Sequence, residues 1–430
     1  MSPHALALVK IVDGYQLAPN SLGAPNGWDD LLSRLFQFDG MQTLYEVEHA
    51  DSFAGKDADS HDDLRDAYAV IRNGAADEHE RRLEAAGIDF IHKLEQMHYF
   101  NLLDSLSAVQ RFVAPPLLRG GGFALSPQLG PSRALASCCA ARMHMLAGAA
   151  DWTAFERTFE NALTIGRGLN GRCDLIAQLV SEMDQSMAFA EAKSNLLAGM
   201  VSAETARDLL AAVDRQPLPK FAFALEGERA RGLEIIDEYY DLVETKATRN
   251  VAGDLAPIIG SRNGDARLWN DYFDAWAKVC GDNEVARSDG RRTIDKIRSK
   301  LDSPEGKTNY AVVDKMVPAV DLTKPRRFEA DRDGLRIMLA LEIWRSQHAG
   351  YPDTLDALSP AILPTIPKDP FNEAGTLHYR KDGDAKYLLY SVGSDGTDNG
   401  GAQCPAGNSE AAGRGVNGKG FDYILNTTAP

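Results

Sequence analysis

The chain has 430 residues, of which 46 are basic and 62 acidic, so its formal net charge is −16. At roughly 150 residues per domain, this length predicts about two to three domains. The hydrophobic fraction of 44% and the charged fraction of 25% are typical of a soluble globular protein. Because an acidic surface repels phosphate backbones, we do not expect a nucleic-acid partner. Converging carboxylates would instead favour a hard cation.

The sequence contains no apolar stretch of the ~18 residues that span a bilayer. Residues 1–10 have neither the basic region nor the apolar segment of a secretory signal. We therefore expect either a cytoplasmic protein or a chain trimmed from a longer one. In the second case, membrane contact would come only from a segment that this chain does not contain.

Apolar residues at three- and four-residue spacing predict one helix after another across residues 28–300. Ser202 is the expected N-cap of one of them. A single buried stripe is expected from Ile91, Leu94, Met97 and Phe100. The predicted helices cover residues 62–72, 78–97, 132–146, 151–168, 173–197, 203–214, 223–245, 266–280 and 289–301.

Residues 132–168 have the pattern of a helical hairpin, which is similar to one unit of a tetratricopeptide-like array. The pair consists of a helix rich in small residues, a short turn with Gly148 and Asp151, and a helix that ends near Gly168. No strict repeat follows it. The sequence therefore predicts an irregular helical bundle or solenoid, with a true repeat array as the alternative.

Prolines and glycines in residues 303–327 predict a connection between two domains. The predicted division is a helical domain over residues 1–302, a linker over 303–327 and an α+β module over 328–430. In the module, one helix at residues 331–348 precedes strands at 376–380, 387–392 and 421–425, and a turn at 381–384 joins the first two strands. This order predicts a small antiparallel sheet.

Four motifs of the module occur in a characteristic order. They are HAGYP at residues 348–352, IPKDPFN at 366–372, HYR at 378–380 and LYSVGSDG at 389–396. Two glycines and a late aspartate, Asp422, follow the last motif. Together these motifs resemble the globular part of the major pseudopilins of type II secretion systems. Pseudopilins begin with a long apolar helix, whereas here a long helical region precedes the matching part.

The resemblance implies one structural calcium ion, held by aspartates and backbone carbonyls in the loop over residues 393–420. Carried over to the matching positions, it implicates the side chains of Asp395 and Asp422 and the carbonyl of Leu389. Asp398 has no firm counterpart in the family and is a local candidate for a fourth ligand.

The loop also has a chemistry of its own. Asp395, Asp398 and Asn399 lie within a few residues of one another, among glycines that can turn carbonyl groups inward. Carboxylates this close repel each other unless a cation or a proton neutralises them, and calcium takes six to eight oxygen ligands. A bound ion would staple the long loop. The alternative is a solvated surface turn rich in Asp, Asn and Gly.

Two further patterns fall in the helical region. Acidic residues recur with arginines along residues 223–245, which predicts a solvated helix face, with an acidic active site as the alternative. Aromatic residues between 239 and 276 predict core packing, with the wall of a concave peptide groove as the alternative. These aromatic residues are Tyr239, Tyr240, Trp269, Tyr272, Phe273 and Trp276.

The sequence carries no catalytic motif of a known class. We therefore expect a non-enzymatic scaffold or protein-binding protein whose helical domain contacts the partner and whose module calcium stabilises. The alternatives are a hydrolase-type enzyme with a cleft in the helical domain, and a secretion- or pilus-related component. Weak calcium sites fill outside the cytoplasm, so we expect an extracytoplasmic protein, periplasmic or membrane-anchored, if a leader is missing here.

Overall fold

The computed structural model describes residues 26–55, 61–109, 112, 126–170, 174–216, 218, 221–244, 260–281, 284–318, 320–348, 350–402 and 421–427. Within these residues the protein is mainly helical, with 14 α-helices and a small antiparallel sheet in its C-terminal region. The predicted fold class is confirmed at this level. In the same residues, no helix combines the length and the apolarity that crossing a membrane requires.

The helices are α1 (Trp28–Glu48), α2 (Leu64–Asn73), α3 (Glu78–Gln96), α4 (Tyr99–Ser107), α5 (Leu129–Gly148), α6 (Trp152–Leu169), α7 (Leu175–Leu197), α8 (Ala203–Asp214), α9 (Phe221–Glu244), α10 (Arg262–Val279), α11 (Glu284–Asp302), α12 (Pro304–Asn309), α13 (Ala311–Met316) and α14 (Thr323–Gln347). The strands are β1 (Lys368–Asp369), β2 (Asn372–Thr376), β3 (His378–Asp382), β4 (Lys386–Ser391) and β5 (Tyr423–Ile424).

Side-chain caps decide where many of the helices begin. A cap accepts a hydrogen bond from a backbone N–H of the first turn, which has no partner within the helix. The predicted cap of α8 is confirmed, because the Ser202 side chain accepts the N–H of Thr205 at 3.1 Å. The other helices with such a cap begin after Asp63, Asp77, Asp151, Asp174, Ser261 and Ser303.

Among the described residues, the helices form two apolar cores. The larger one joins α1–α8 to α14 and to the C-terminal strands, and the smaller one lies among α9, α10, α11 and α13. Close helix contacts in the larger core require glycine, since a Cβ at Gly166 would meet Gln185 at 2.6 Å. The hairpin predicted at residues 132–168 corresponds to α5 and α6, while its likeness to a tetratricopeptide unit stays a prediction.

The predicted buried stripe is wrong at one residue. Ile91, Leu94 and Phe100 are buried, but Met97 is 51% exposed. The reason is that α3 ends at Gln96 and the backbone turns through His98, which has a φ of 54°. The helical period on which the stripe was based therefore stops before Met97.

The residues predicted as a linker contain helical segments. Pro304 stands in the first turn of α12, where its missing N–H needs no partner. α13 follows directly, and α14 begins at Thr323, inside the predicted linker. Where independent domains begin and end stays a prediction.

On one side, α14 packs against the helical body, which consists of α1–α8. Phe328 stacks on Phe189 of α7, with 5.7 Å between the ring centroids. Arg332 donates to the carbonyl of Gln216 at 3.0 Å, just beyond the end of α8. Arg336 forms an ion pair of 2.6 Å with Asp214, the last residue of α8.

The other side of α14 supports the sheet. β4 pairs antiparallel with β3 in the predicted hairpin, but β3 lies two residues later than the predicted strand at 376–380, so that Lys381 and Asp382 belong to the strand and not to the turn. The far edge of β4 pairs with β5. Gly334 leaves room for Leu425, whose nearest atom would lie 3.0 Å from a Cβ. The Tyr423 hydroxyl donates to the carboxylate of Asp331 at 2.8 Å. A separate pair, β1 with β2, was not predicted.

Replacing Arg332 should destabilise the protein strongly. Arg332→Met would remove the donor to the carbonyls at the end of α8 and one cation beside the buried Asp333, which lies 3.2 Å away. We expect a loss of about 3 kcal/mol in the free energy of unfolding, measured by urea denaturation. The control Arg81→Met breaks an exposed ion pair with Glu78 and should cost less than about 1 kcal/mol. Equal losses in both variants would contradict this packing role.

Candidate functional site

The four predicted calcium ligands lie around the end of β4. Leu389 is within β4, and Asp395 closes a 3₁₀ turn, Gly393–Asp395, that follows the strand. Asp398 lies in the glycine-rich loop, and Asp422 directly precedes β5. Residues 403–420, the rest of this loop, lie outside the described residues.

Asp422 is the buried member of the set, with an exposed fraction of 2%. Its carboxylate accepts the N–H of Asn399, which lies 3.1 Å from each oxygen, and the N–H of Gly401 at 2.7 Å. The N–H of Asp422 itself donates to the carbonyl of Ala402 at 2.9 Å. The described residues 399–402 of the loop are thus folded around this carboxylate.

Asp398 is half exposed and takes donors from two directions. Its Oδ1 accepts the N–H of Gly400 at 2.8 Å and the hydroxyl of Tyr390 at 3.0 Å. The other oxygen, Oδ2, lies 3.4 Å from Nδ1 of His378, whose ring stacks on Tyr390. The hydrogen bond from Gly400 is the main cause that lowers the pKa of Asp398 below its usual value.

The remaining two predicted ligands also have local partners. Asp395 is exposed and accepts the N–H of Thr397 at 3.0 Å. The carbonyl of Leu389 accepts the N–H of Leu425 at 2.9 Å. In the described part of the chain, no group of three His, Cys, Asp or Glu side chains is arranged to hold a metal ion. Each predicted ligand oxygen group thus faces a hydrogen-bond donor, and calcium binding stays a prediction.

The carboxylate of Asp369, which the sequence analysis did not predict as a functional group, holds the residues directly before the loop. Asp369 is buried and accepts three hydrogen bonds: the N–H of Phe371 at 2.9 Å, the hydroxyl of Ser391 at 2.7 Å and the N–H of Val392 at 2.9 Å. Only the bond to Phe371, two residues on, is local enough to be suggested by sequence. The other two depend on β1 reaching the end of β4.

The acidic residues of α9 are engaged in structural contacts. Glu226 pairs with Arg229, which also binds Asp274 of α10 at 2.8 Å. Glu228 accepts the N–H of Leu175 at the start of α7, at 3.1 Å. These contacts tie α9 to its neighbours, so the row is less solvated than the sequence indicated.

The aromatic residues of α9 and α10 belong mainly to the smaller core. Trp269, Tyr272, Phe273 and Trp276 are buried there, and Tyr239 packs against them half-buried. The indole of Trp269 donates to the carbonyl of Arg229 at 2.9 Å. The predicted core packing is therefore confirmed for these residues.

Two buried acidic residues of α7, Glu182 and Asp184, were also not predicted from the sequence. Burial raises the pKa of Glu182 to about 7, partly opposed by the hydrogen bond from Gln178. Burial likewise raises the pKa of Asp184 to about 7, opposed by the Ser132 hydroxyl, 2.5 Å away, and by the charge of Arg133. The Oδ1 atom of Asp184 is buried and has no hydrogen-bond partner among the described residues. Helical periodicity alone does not indicate which polar residues α5 covers.

Comparison with protein-family models, with curated proteins and with solved structures finds no match to this chain.

The raised pKa of Asp184 makes stability depend on pH. The folded state keeps the proton of Asp184 up to about pH 7, whereas the unfolded chain releases it near the ordinary pKa of 3.8. The stability that this proton contributes is therefore fully present below about pH 3.8 and is lost as the pH rises from there through about 7. Relative to Asp184→Asn, the free energy of unfolding of the wild type should fall by up to about 4 kcal/mol across this window.

Urea denaturation at a series of pH values measures this difference. Asp39→Asn, which changes an exposed carboxylate of α1, is carried through the same pH series as a control for the loss of one negative charge. Parallel stability curves for Asp184→Asn and the wild type would show that Asp184 does not carry the buried proton.

Replacing Asp369 should lower the free energy of unfolding more than replacing an exposed aspartate of the same region. In Asp369→Asn, an NH₂ group replaces one carboxylate oxygen. Because both oxygens now accept hydrogen bonds, this new donor would face at least one N–H or O–H donor and leave it without an acceptor. We expect a loss of about 1–3 kcal/mol in the free energy of unfolding. Asp353→Asn changes a mostly exposed carboxylate and should cost less than about 1 kcal/mol. If both variants lost the same amount, the three hydrogen bonds of Asp369 would not hold the turn.

Proposed function

We propose that this is a non-enzymatic binding protein whose helical body presents one face of α1 to a helix of a partner protein. The observation that carries the proposal is an apolar stripe on the solvent side of α1. Phe36, Leu44 and Val47 are 44%, 57% and 71% exposed. At 100° per residue, these three positions fall on one face of the helix.

The opposite face of α1 fixes the stripe in place. Leu31, Leu35, Phe38 and Tyr45 are buried in the larger core. Tyr45 also donates a hydrogen bond of 2.8 Å to Asp89 of α3. The exposed apolar residues therefore sit on a rigid support, which reduces the entropy that binding would cost.

The centre of the stripe allows a close approach. Gly40 lies between Phe36 and Leu44, and a Cβ built on it would have no atom within 4 Å. A partner helix could reach the backbone there and place its own apolar residues beside the two large side chains. An amphipathic helix laid on an apolar face is a common recognition mode.

Charge around the stripe favours a basic partner. Four exposed aspartates lie along α1 or just after it, and the chain as a whole has a net charge of −16. These aspartates are Asp29, Asp30, Asp39 and Asp51. Lysine or arginine residues flanking the apolar face of the partner would meet them, which would speed association at low salt.

Acidic residues of α9 and of the C-terminal loop make contacts that support a structural role for them. Glu226 of α9 pairs with an arginine and Glu228 accepts a backbone N–H, and the described carboxylates of the C-terminal loop accept backbone N–H groups. In this proposal, the C-terminal strands and α14 complete and stiffen the body that carries α1.

A peptide titration tests the proposal. The probe is a fluorescent synthetic helix made of leucine and lysine in an amphipathic order, and the control peptide has the same composition in scrambled order. Fluorescence anisotropy should show tighter binding of the amphipathic peptide. The double variant Leu44→Ser/Val47→Ser should weaken that binding by about tenfold or more, because it removes two apolar contacts.

Val285→Ser is the matched control, since Val285 is 77% exposed on α11. It should bind the peptide as the wild type does. If the double variant bound as well as the wild type, or if both peptides bound equally, attraction to the acidic surface would account for the binding and the α1 face would not be the site.

A further inference from the structure

We infer that the C-terminal loop is fastened by the carboxylate of Asp422 acting on backbone N–H groups, and that this fastening needs no metal ion. The inference differs from what the pseudopilin resemblance implies, and it is independent of the proposed binding face on α1. It rests on the direction in which the loop presents its donors.

The loop backbone aims N–H groups at Asp422. Gly400 and Gly401 have φ values of 70° and 81°, a conformation that favours glycine. A Cβ at Gly401 would also clash with the side chain of Leu388. With the backbone so turned, the N–H groups of Asn399 and Gly401 converge on one carboxylate, as in the backbone concavities that bind anions.

This arrangement is unfavourable for a cation at the same oxygens. A calcium ion lies about 2.3–2.6 Å from its oxygen ligands. At Asp422 such an ion would meet the positive ends of the N–H groups of Asn399 and Gly401. At Leu389 and Asp398, the carbonyl oxygen and Oδ1 already accept the N–H groups of Leu425 and Gly400, which leaves fewer of their lone pairs for an ion.

A second carboxylate completes the fastening at the beginning of the loop. Asp369 holds the hydroxyl of Ser391 and the N–H of Val392, directly before the 3₁₀ turn. Asp422 holds the part of the loop that follows the turn. The two aspartates therefore constrain the loop from both sides, which is the role that a bound ion would have had.

Hydrogen exchange of the full-length protein tests the inference. Exchange is followed by mass spectrometry in peptides that cover residues 393–402, in chelator and in millimolar calcium. We expect the amides of Asn399 and Gly401 to be protected in chelator, with no further protection when calcium is added. Asp422→Asn should lose this protection in both conditions.

Asp395→Asn is the matched control, because Asp395 is exposed and bonds only within its own turn among the described residues. It should exchange as the wild type does. The opposite result would be fast exchange of these amides in chelator and protection only with calcium, lost in Asp395→Asn as well as in Asp422→Asn. That result would overturn the inference and establish the ion as the fastener.

Discussion

The buried contact between α14 and the end of α8 is the constraint on which the rest of the described structure depends. Arg332 and Arg336 are brought close to Asp333 and Asp214, and Arg332 also reaches carbonyl groups beyond the last turn of α8. Removing two guanidinium groups from water is costly, and only partners on both helices offset that cost. The contact therefore favours one relative position of the two helices over others.

In the described part of the chain, the sheet of β3, β4 and β5 is supported by the opposite side of α14. Leu425 packs against Gly334, Tyr423 bonds to Asp331, and β4 lies between β3 and β5. The two fastening aspartates and the described part of the loop are in turn attached to the C-terminal end of β4. The same helix thus belongs to the core of the helical body and to the support of the sheet.

Local sequence signals were sufficient for much of this architecture. The cap at Ser202 and the turn between β3 and β4 were predictable, because each depends on residues a few positions apart. The exposure of Met97 was not, because it follows from the end of α3. The roles of Asp369 and Asp184 were also beyond local reasoning, since their hydrogen-bond partners lie 22 and 52 residues away.

The central claim is that α14 joins the helical body and the sheet into one cooperative unit. Native-state hydrogen exchange at increasing denaturant concentration tests it most directly, by comparing the amides of α8 with those of β4. We expect both sets of amides to open with the same free energy and the same dependence on denaturant. If β4 opened at a clearly lower free energy while α8 stayed protected, the two parts would be separate units and the account would be contradicted.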